Sequence, residues 1–176
     1  VICTAYGPPE VLKIQEVPKP TPKEDELLVK IMATAINSGD VRIRGLKGNG
    51  FLRLMMRVIF GFSKPRKSIL GPVFSGVVQQ VGKNVTKFNL DDEVYGMTGL
   101  KFGTYAEYMV IDQNGKVILK PKNASFEEAA ALPFGGQTAI YFLEKAGIAT
   151  KSNLHILIIG ATGAVGTAAI QIAKQY

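Results

Sequence analysis

A chain of 176 residues with 47% apolar and 20% charged residues can bury a core, and its length suits one domain, or one domain and part of a second. No apolar run reaches the roughly 18 residues of a bilayer span and no secretory signal opens it, while the single cysteine, Cys3, excludes an internal disulfide and points to a reducing, cytoplasmic setting. The net charge of +7 is concentrated: residues 41–90 carry ten Lys or Arg and no Asp or Glu. Such a block steers an anionic ligand such as a phosphorylated cofactor, rests on nucleic acid or an anionic membrane, or is simply a solvated face. No RNP-like run, zinc finger or helix-turn-helix pattern accompanies it, which disfavours nucleic acid.

The chain opens in mid-strand ("VICTAY") without an initiator Met, which reads as a trimmed start. Through residue 121 it reads mostly as strands broken by Gly, Pro and Asp turns. "VLKIQEVPKPTPKEDELLVKIMATAIN" holds two strand candidates around a Pro-rich link. "VFSGVVQQVG", "DEVYGM", "TYAEYMVI" and "KVILKP" hold four more. Short, irregularly spaced strands suggest a small β-barrel or sandwich-like unit. One segment differs. "FLRLMMRVIFGF", Phe51–Phe62, sets Arg53 and Arg57 four apart with apolar residues elsewhere, and predicts a helix. It is too short to span a membrane. It lies on a membrane surface as a basic amphipathic helix, covers an apolar pocket, or packs in the core with two solvated arginines.

After Pro121 the character changes. Ser125 and Glu128 stand at capping-box spacing, so a helix is expected from Phe126. Pro133 and the Gly135–Gly136 pair are expected to interrupt it, with a second helix through "QTAIYFLEKAG" that stops at Gly147. "HILIIG", His155–Gly160, reads as a fully buried strand of a parallel sheet, with His155 a structural residue at its start. The final helix sets Val165, Ala168, Ala169 and Ile172 on one face.

Gly160, Gly163 and Gly166 lie between that strand and that helix. A turn without side chains lets backbone approach a pyrophosphate, and a helix N-terminus adds free N–H groups and partial positive charge. In the Gly-x-Gly-x-x-Gly register Ala161 replaces the first glycine, while Gly163 and Gly166 keep their places. "GATGAVG" also resembles the opening of short-chain dehydrogenases and nucleoside-sugar epimerases, but in those families the motif sits near the N-terminus, not behind a long β-rich region.

The order of motifs resembles the medium-chain dehydrogenase/reductase superfamily, and within it the zinc-independent quinone oxidoreductase-like branch. "YGPPEVLKIQEVPKPTPKEDELLVKI" is similar to that branch's opening, and "INSGDVRIRG" to its Asn-x-x-Asp-x-x-x-Arg-x-Gly segment. "SGVVQQVGKNVTKFNLDDEVYG", "GTYAEYMV", "KPKNASFEEAAALPFGGQTA" and "GATGAVGTAAIQIAK" follow in family order. The resemblance implies a mixed α/β chain: a GroES-like β-barrel catalytic domain over residues 1–121, then the first βα unit of a Rossmann NAD(P)-binding domain over 122–176. The chain then reads as an N-terminal fragment of about half the enzyme, with the residue that selects NAD or NADP beyond Tyr176.

By the same resemblance, zinc-dependent relatives hold a Cys in the segment matching "INSGD" and a His in a Gly-His-Glu stretch; here those places are Asn37 and the Pro72–Val73 pair, and no zinc is expected. The implied activity is metal-free hydride transfer from NADPH, or NADH, to a small lipophilic quinone or α,β-unsaturated carbonyl, acceptors that delocalise the arriving negative charge. Asn37 and Asp40 are implied near the nicotinamide end of the cleft. Arg42 stands two positions after that Asp, where many relatives have Tyr, and would stabilise an enolate oxygen. Thr138 is implied near the nicotinamide amide, and Gly160, Ala161, Thr162, Gly163, Ala164, Val165 and Gly166 at the pyrophosphate. The bland alternatives are Asn37 and Asp40 as turn formers, Thr138 as an N-terminal helix cap, and Cys3 as a packed or surface thiol. Val73 stands where the branch commonly has Asp. The Phe51–Phe62 segment is a candidate wall or lid for a lipophilic quinone. A homo-oligomer, through exposed strand edges, and a non-catalytic binding module stay open as expectations.

Overall fold

The computed structural model describes every residue from Val1 to Tyr176. It divides into two compact units, Val1–Ala130 and Ala131–Tyr176, with the division inside one helix. No helix is long and apolar enough to cross a membrane.

In the first unit a two-stranded ribbon, β1 (Ile2–Cys3) and β2 (Leu12–Lys13), precedes the main sheet. That sheet is built from β3 (Glu26–Ala33), β4 (Val73–Val81), β5 (Glu93–Met97), β6 (Tyr108–Asp112) and β7 (Val117–Leu119), all antiparallel, in the order β6-β3-β4-β5-β7. The core is Leu27, Val29, Phe74, Val78, Phe88, Val94, Met109 and Val117. Register explains its composition: Val29 stands opposite both Val78 and Met109, and the Phe74 ring opposite Gly96, where no side chain competes for space. Leu27, Leu28 and Val29 are buried in succession, so the middle of β3 is covered on both faces. The ladder is open: β6 and β7 are its edges and do not pair, so hydrogen bonds do not close the expected barrel.

Two helices interrupt the strands: α1 (Ser38–Gly45) and α2 (Gly50–Phe60). The second is the helix expected from "FLRLMMRVIFGF". Asn49 caps it by accepting from Leu52 N–H at 2.9 Å, and Gly61, at φ +126°, stops it two residues short of Phe62. The Tyr6 hydroxyl donates to the Gly61 carbonyl at 2.7 Å, and the Phe60 ring lies 5.9 Å from that of Phe102, which moors this end.

The capping box at Ser125 forms in both directions: Ser125 N–H donates to Glu128 Oε2 at 2.8 Å, and Glu128 N–H to Ser125 Oγ at 3.2 Å. Helix α3 then runs unbroken from Phe126 to Ala146. The expected interruption at Pro133 and Gly135–Gly136 does not occur. Proline removes one helix bond and crowds the preceding turn, but Ala129 and Ala130 before it and Ala139 and Leu143 after it are buried, and that burial outweighs the local cost. Gly135 is small for another reason. A Cβ there would meet the Ala164 carbonyl oxygen at 2.6 Å, so it is a close-approach residue and not a breaker.

In the second unit Ala139, Leu143 and Ile148 pack with Ala169 of α4 (Ala164–Ala173), and Val165, Ala168 and Ile172 join them on the expected face. The strand expected at His155–Gly160 is absent. Those residues are irregular, His155 is exposed instead of sitting at a strand edge, and Leu157 and Ile159 are 87% and 90% exposed; only Ile158 reaches the core. A strand in a parallel sheet takes all its hydrogen bonds from neighbouring strands, and no strand pairs with this segment.

Candidate functional site

Asn37 and Asp40 are brought together by the start of α1. Asn37 is its N-cap: Oδ1 accepts from Gly39 N–H at 2.8 Å and Asp40 N–H at 3.3 Å, while Asp40 Oδ2 accepts from Asn37 N–H at 3.0 Å. This reciprocal box satisfies orphan donors at the helix start and fixes both side chains. It also leaves two polar atoms over. Asn37 Nδ2 and Asp40 Oδ1 are buried with no hydrogen-bond partner.

The third buried polar atom without a partner is the Tyr105 hydroxyl. Burial first, and then the neighbouring Asp40 carboxylate, push the Tyr105 phenol far above its ordinary range, so it stays a protonated donor. The carboxylate is close enough to act on the phenol, yet no hydrogen bond of ordinary geometry joins them. Tyr105 lies in the stretch "GTYAEYMV". Its only local signal is an aromatic after Gly-Thr, and the residue it faces lies on another element.

Thr104, the neighbour of Tyr105 in sequence, belongs to a chain of hydroxyls. Thr34 Oγ1 donates to the Val73 carbonyl at 2.7 Å, which uses its single proton, so Thr104 is the donor in the 2.9 Å contact between the two threonine oxygens. Val73 itself is buried in β4. A carboxylate there would enter the core without a partner, which accounts for an apolar residue at that position. Gly71, at φ +91°, lies under the Tyr105 ring: an added Cβ would come 2.5 Å from Tyr105 Cδ1 and would overlap Thr104 Oγ1.

Arg42 does not join the cluster; it is exposed on α1, while Arg44 turns inward and donates to the Gly7 carbonyl at 2.8 Å. A cavity of about 750 Å³ in this unit lies elsewhere, between residues 97–103 and β6, and none of Asn37, Asp40 or Arg42 lines it. Cys3 is packed: it is buried, its thiol donates to the Ala5 carbonyl at 3.2 Å, and burial raises its pKa. No three His, Cys, Asp or Glu side chains gather in the chain.

In the second unit the glycine-rich turn is formed. Gly160 adopts φ +77°, a conformation that disfavours any Cβ, and Gly163 N–H donates back to its carbonyl at 3.0 Å. At Gly166 a Cβ would overlap the Gly160 carbonyl oxygen and lie 2.7 Å from Ala161 Cα. Thr167 Oγ1 closes the turn on the Ala161 carbonyl at 3.2 Å. Gly163 is the N-cap of α4 and offers no side chain, so the N–H groups of Ala164, Val165 and Gly166 have no partner within the chain. Thr162 is exposed beside them. This arrangement fits an anionic phosphate. Thr138 lies in the middle of α3, not at a helix start, and its hydroxyl donates to the Phe134 carbonyl at 2.7 Å. The N-cap alternative is thereby corrected.

The buried phenol has a consequence for stability. An unfolded tyrosine ionises near pH 10, whereas folded Tyr105 keeps its proton to higher pH. The stabilisation is therefore whole below pH 10 and is lost as pH rises above it. Tyr105→Phe is expected to change stability little at pH 7, since the hydroxyl has no partner to lose, and to flatten the alkaline decline. Urea unfolding of both proteins at pH 7 and above pH 10 checks this; parallel alkaline slopes would contradict it.

A family profile described as "Alcohol dehydrogenase GroES-like domain" matches residues 23–122. The chain is 40% identical to 2-methylene-furan-3-one reductase of Solanum lycopersicum over 98% of its own length and 43% of the relative's. Among solved structures, the quinone oxidoreductase of Coxiella burnetii superposes with a TM-score of 0.81 at 34% identity, over 97% of this chain and 51% of that one. The Escherichia coli quinone oxidoreductase complexed with NADPH gives 0.70 at 28% identity, over 97% and 47%. The chain thus spans about half the length of the relatives it matches. With a matched profile over more than half of its residues and relatives of this kind on both counts, the chain belongs to the alcohol dehydrogenase GroES-like family, among the quinone oxidoreductase-like medium-chain dehydrogenases/reductases.

Proposed function

We propose that this chain carries the substrate-side domain (1–121) and the beginning of the dinucleotide-binding domain (122–176) of an NADPH-dependent reductase of quinones or α,β-unsaturated carbonyls. The observation that carries this reading is the turn from Gly160 to Gly166, which presents three unpartnered N–H groups at an uncapped helix start. Closure of the open sheet into a GroES-like barrel and completion of a Rossmann unit behind the turn belong to the same proposal. So do a reducing, cytoplasmic setting and a homo-oligomer.

In this reading the N–H groups of Ala164, Val165 and Gly166 hold the pyrophosphate, and Gly160, Ala161, Thr162 and Gly163 leave room for it. Thr138 borders the nicotinamide amide. Bound NADPH supplies the hydride; NADH is the weaker alternative. Asn37 Nδ2 and the Tyr105 hydroxyl, the two buried donors without partners, take up the negative charge on the substrate oxygen, and exposed Arg42 adds positive potential. Asp40 holds Asn37 in place and disfavours ionisation of Tyr105. A metal-free reaction suits this donor set, since Asn37 and Pro72–Val73 stand where zinc-dependent relatives hold Cys and His. A fluorescence titration with NADPH and NADH, followed by NADPH oxidation assays with an enone and a quinone, tests the reading. Saturable binding and acceptor-dependent oxidation are expected. Tyr105→Phe should lower kcat roughly ten- to hundredfold while leaving NADPH affinity unchanged. No binding of either nucleotide, with no acceptor-dependent oxidation, would end the proposal.

A further inference from the structure

Helix α2 turns its apolar side the wrong way for a core helix. Met56 is buried and Phe60 half-buried, and they hold the helix to its unit. On the far side Phe51, Leu54, Met55 and Val58, at i, i+3, i+4 and i+7, form one stripe with exposures of 75%, 58%, 45% and 53%. Phe62, just past the helix end, is exposed as well. Amphipathic helices of soluble domains bury that stripe; this one presents it to solvent on a helix capped at both ends.

The charges around the stripe are of one sign. Lys47, Arg53, Arg57, Lys64, Arg66 and Lys67 are all exposed, no acidic residue lies between positions 41 and 90, and neither of the chain's two salt bridges involves any of them. Arg53 and Arg57 lie one turn apart along one border of the apolar stripe. A second copy of this face would set like charges against each other, and a nucleic acid would leave the apolar stripe in water. A surface that is apolar below and anionic at its boundary satisfies both features: the stripe enters the acyl boundary while the arginines reach the headgroups.

We propose that α2 and the following Lys64–Lys67 segment form a peripheral docking surface for an anionic phospholipid membrane. The helix lies in the interface plane and does not span it. Docking is independent of the proposed reductase activity.

Sedimentation of the purified protein with vesicles of phosphatidylcholine alone, and with vesicles containing phosphatidylserine, tests this. Binding to the anionic vesicles is expected, weakening as salt rises. Phe51→Ser with Val58→Ser should lower vesicle affinity at least tenfold through lost apolar burial. Arg53→Gln and Arg57→Gln should each lower it about fivefold. All four side chains are exposed, so circular dichroism and thermal melting should match those of the parent protein. The proposal is overturned if anionic vesicles sediment no protein, or if the Phe51/Val58 variant binds them as the parent does. It is also overturned if the protein ignores vesicles and instead forms a dimer that this variant abolishes. A variant that only raises KM for apolar quinones, with no vesicle binding in either protein, would make the stripe a substrate lid and end the docking proposal.

Discussion

Gly166→Val should weaken NADPH binding by at least about hundredfold, or ~2.8 kcal/mol. The new Cβ would overlap the Gly160 carbonyl oxygen and sit 2.7 Å from Ala161 Cα, both of them backbone, so no side chain can swing away to relieve it. Either the turn opens or α4 moves off it, and in both cases the unpartnered N–H groups of Ala164 and Val165 lose their alignment. A matched control lies in the same unit. Gly136 has no atom within 4 Å of an added Cβ and stands inside α3, so Gly136→Ala should keep NADPH affinity and gain about 1 kcal/mol of helix stability. Fluorescence titration of the three proteins separates the cases. Parent-like affinity in Gly166→Val would remove the turn from the cofactor site.

Gly71→Ala should destabilise the first unit for two separate reasons. Its φ of +91° strains any L side chain, at about 1–2 kcal/mol. Its Cβ also drives into Thr104 and the Tyr105 ring, at a further cost of about 1–3 kcal/mol for overpacking. A total of about 3 kcal/mol corresponds to a fall in Tm of roughly 10 °C. Gly103 has a similar φ, +104°, but open space around it, so Gly103→Ala should show the strain alone, about 1 kcal/mol. Equal losses at the two positions in thermal melts would mean that the ring over Gly71 is not tightly seated.

What was legible in the sequence was local or periodic. Ser125 and Glu128 mark a helix start because the box is made within one turn, and the face of α4 follows from 3.6-residue spacing. Asn37 and Asp40 show the limit of that reasoning: apart from the resemblance they read as turn formers, and the structure makes them the capping box of α1. Pro133 misled because local propensity speaks against a continuous helix, whereas burial on both sides of it decides the outcome. "HILIIG" misled for the opposite reason. Its composition suits a buried strand, but strands are made by their neighbours, and this one has none in the chain. Tyr105 was beyond reach because the residue that perturbs it, Asp40, sits on another element and meets it only in three dimensions.

The place of β3 at the middle of the sheet bears on how the chain is made. Glu26 begins a strand whose partners arrive late: Leu27 pairs with Val81 on one side, and Glu26 with Asp112 on the other. At ribosomal speeds of about 5–20 residues per second, the second pairing waits roughly 4–17 s after Glu26 is synthesised. Throughout that delay Leu27, Leu28 and Val29 are a sticky nascent stretch with at least one edge open. Lys30, exposed next to them, and the prolines and charges of the preceding link ("PKPTPKEDE") then act as gatekeepers against premature pairing with other chains. Removing those guards should leave the finished fold almost unchanged and lower the yield of soluble protein.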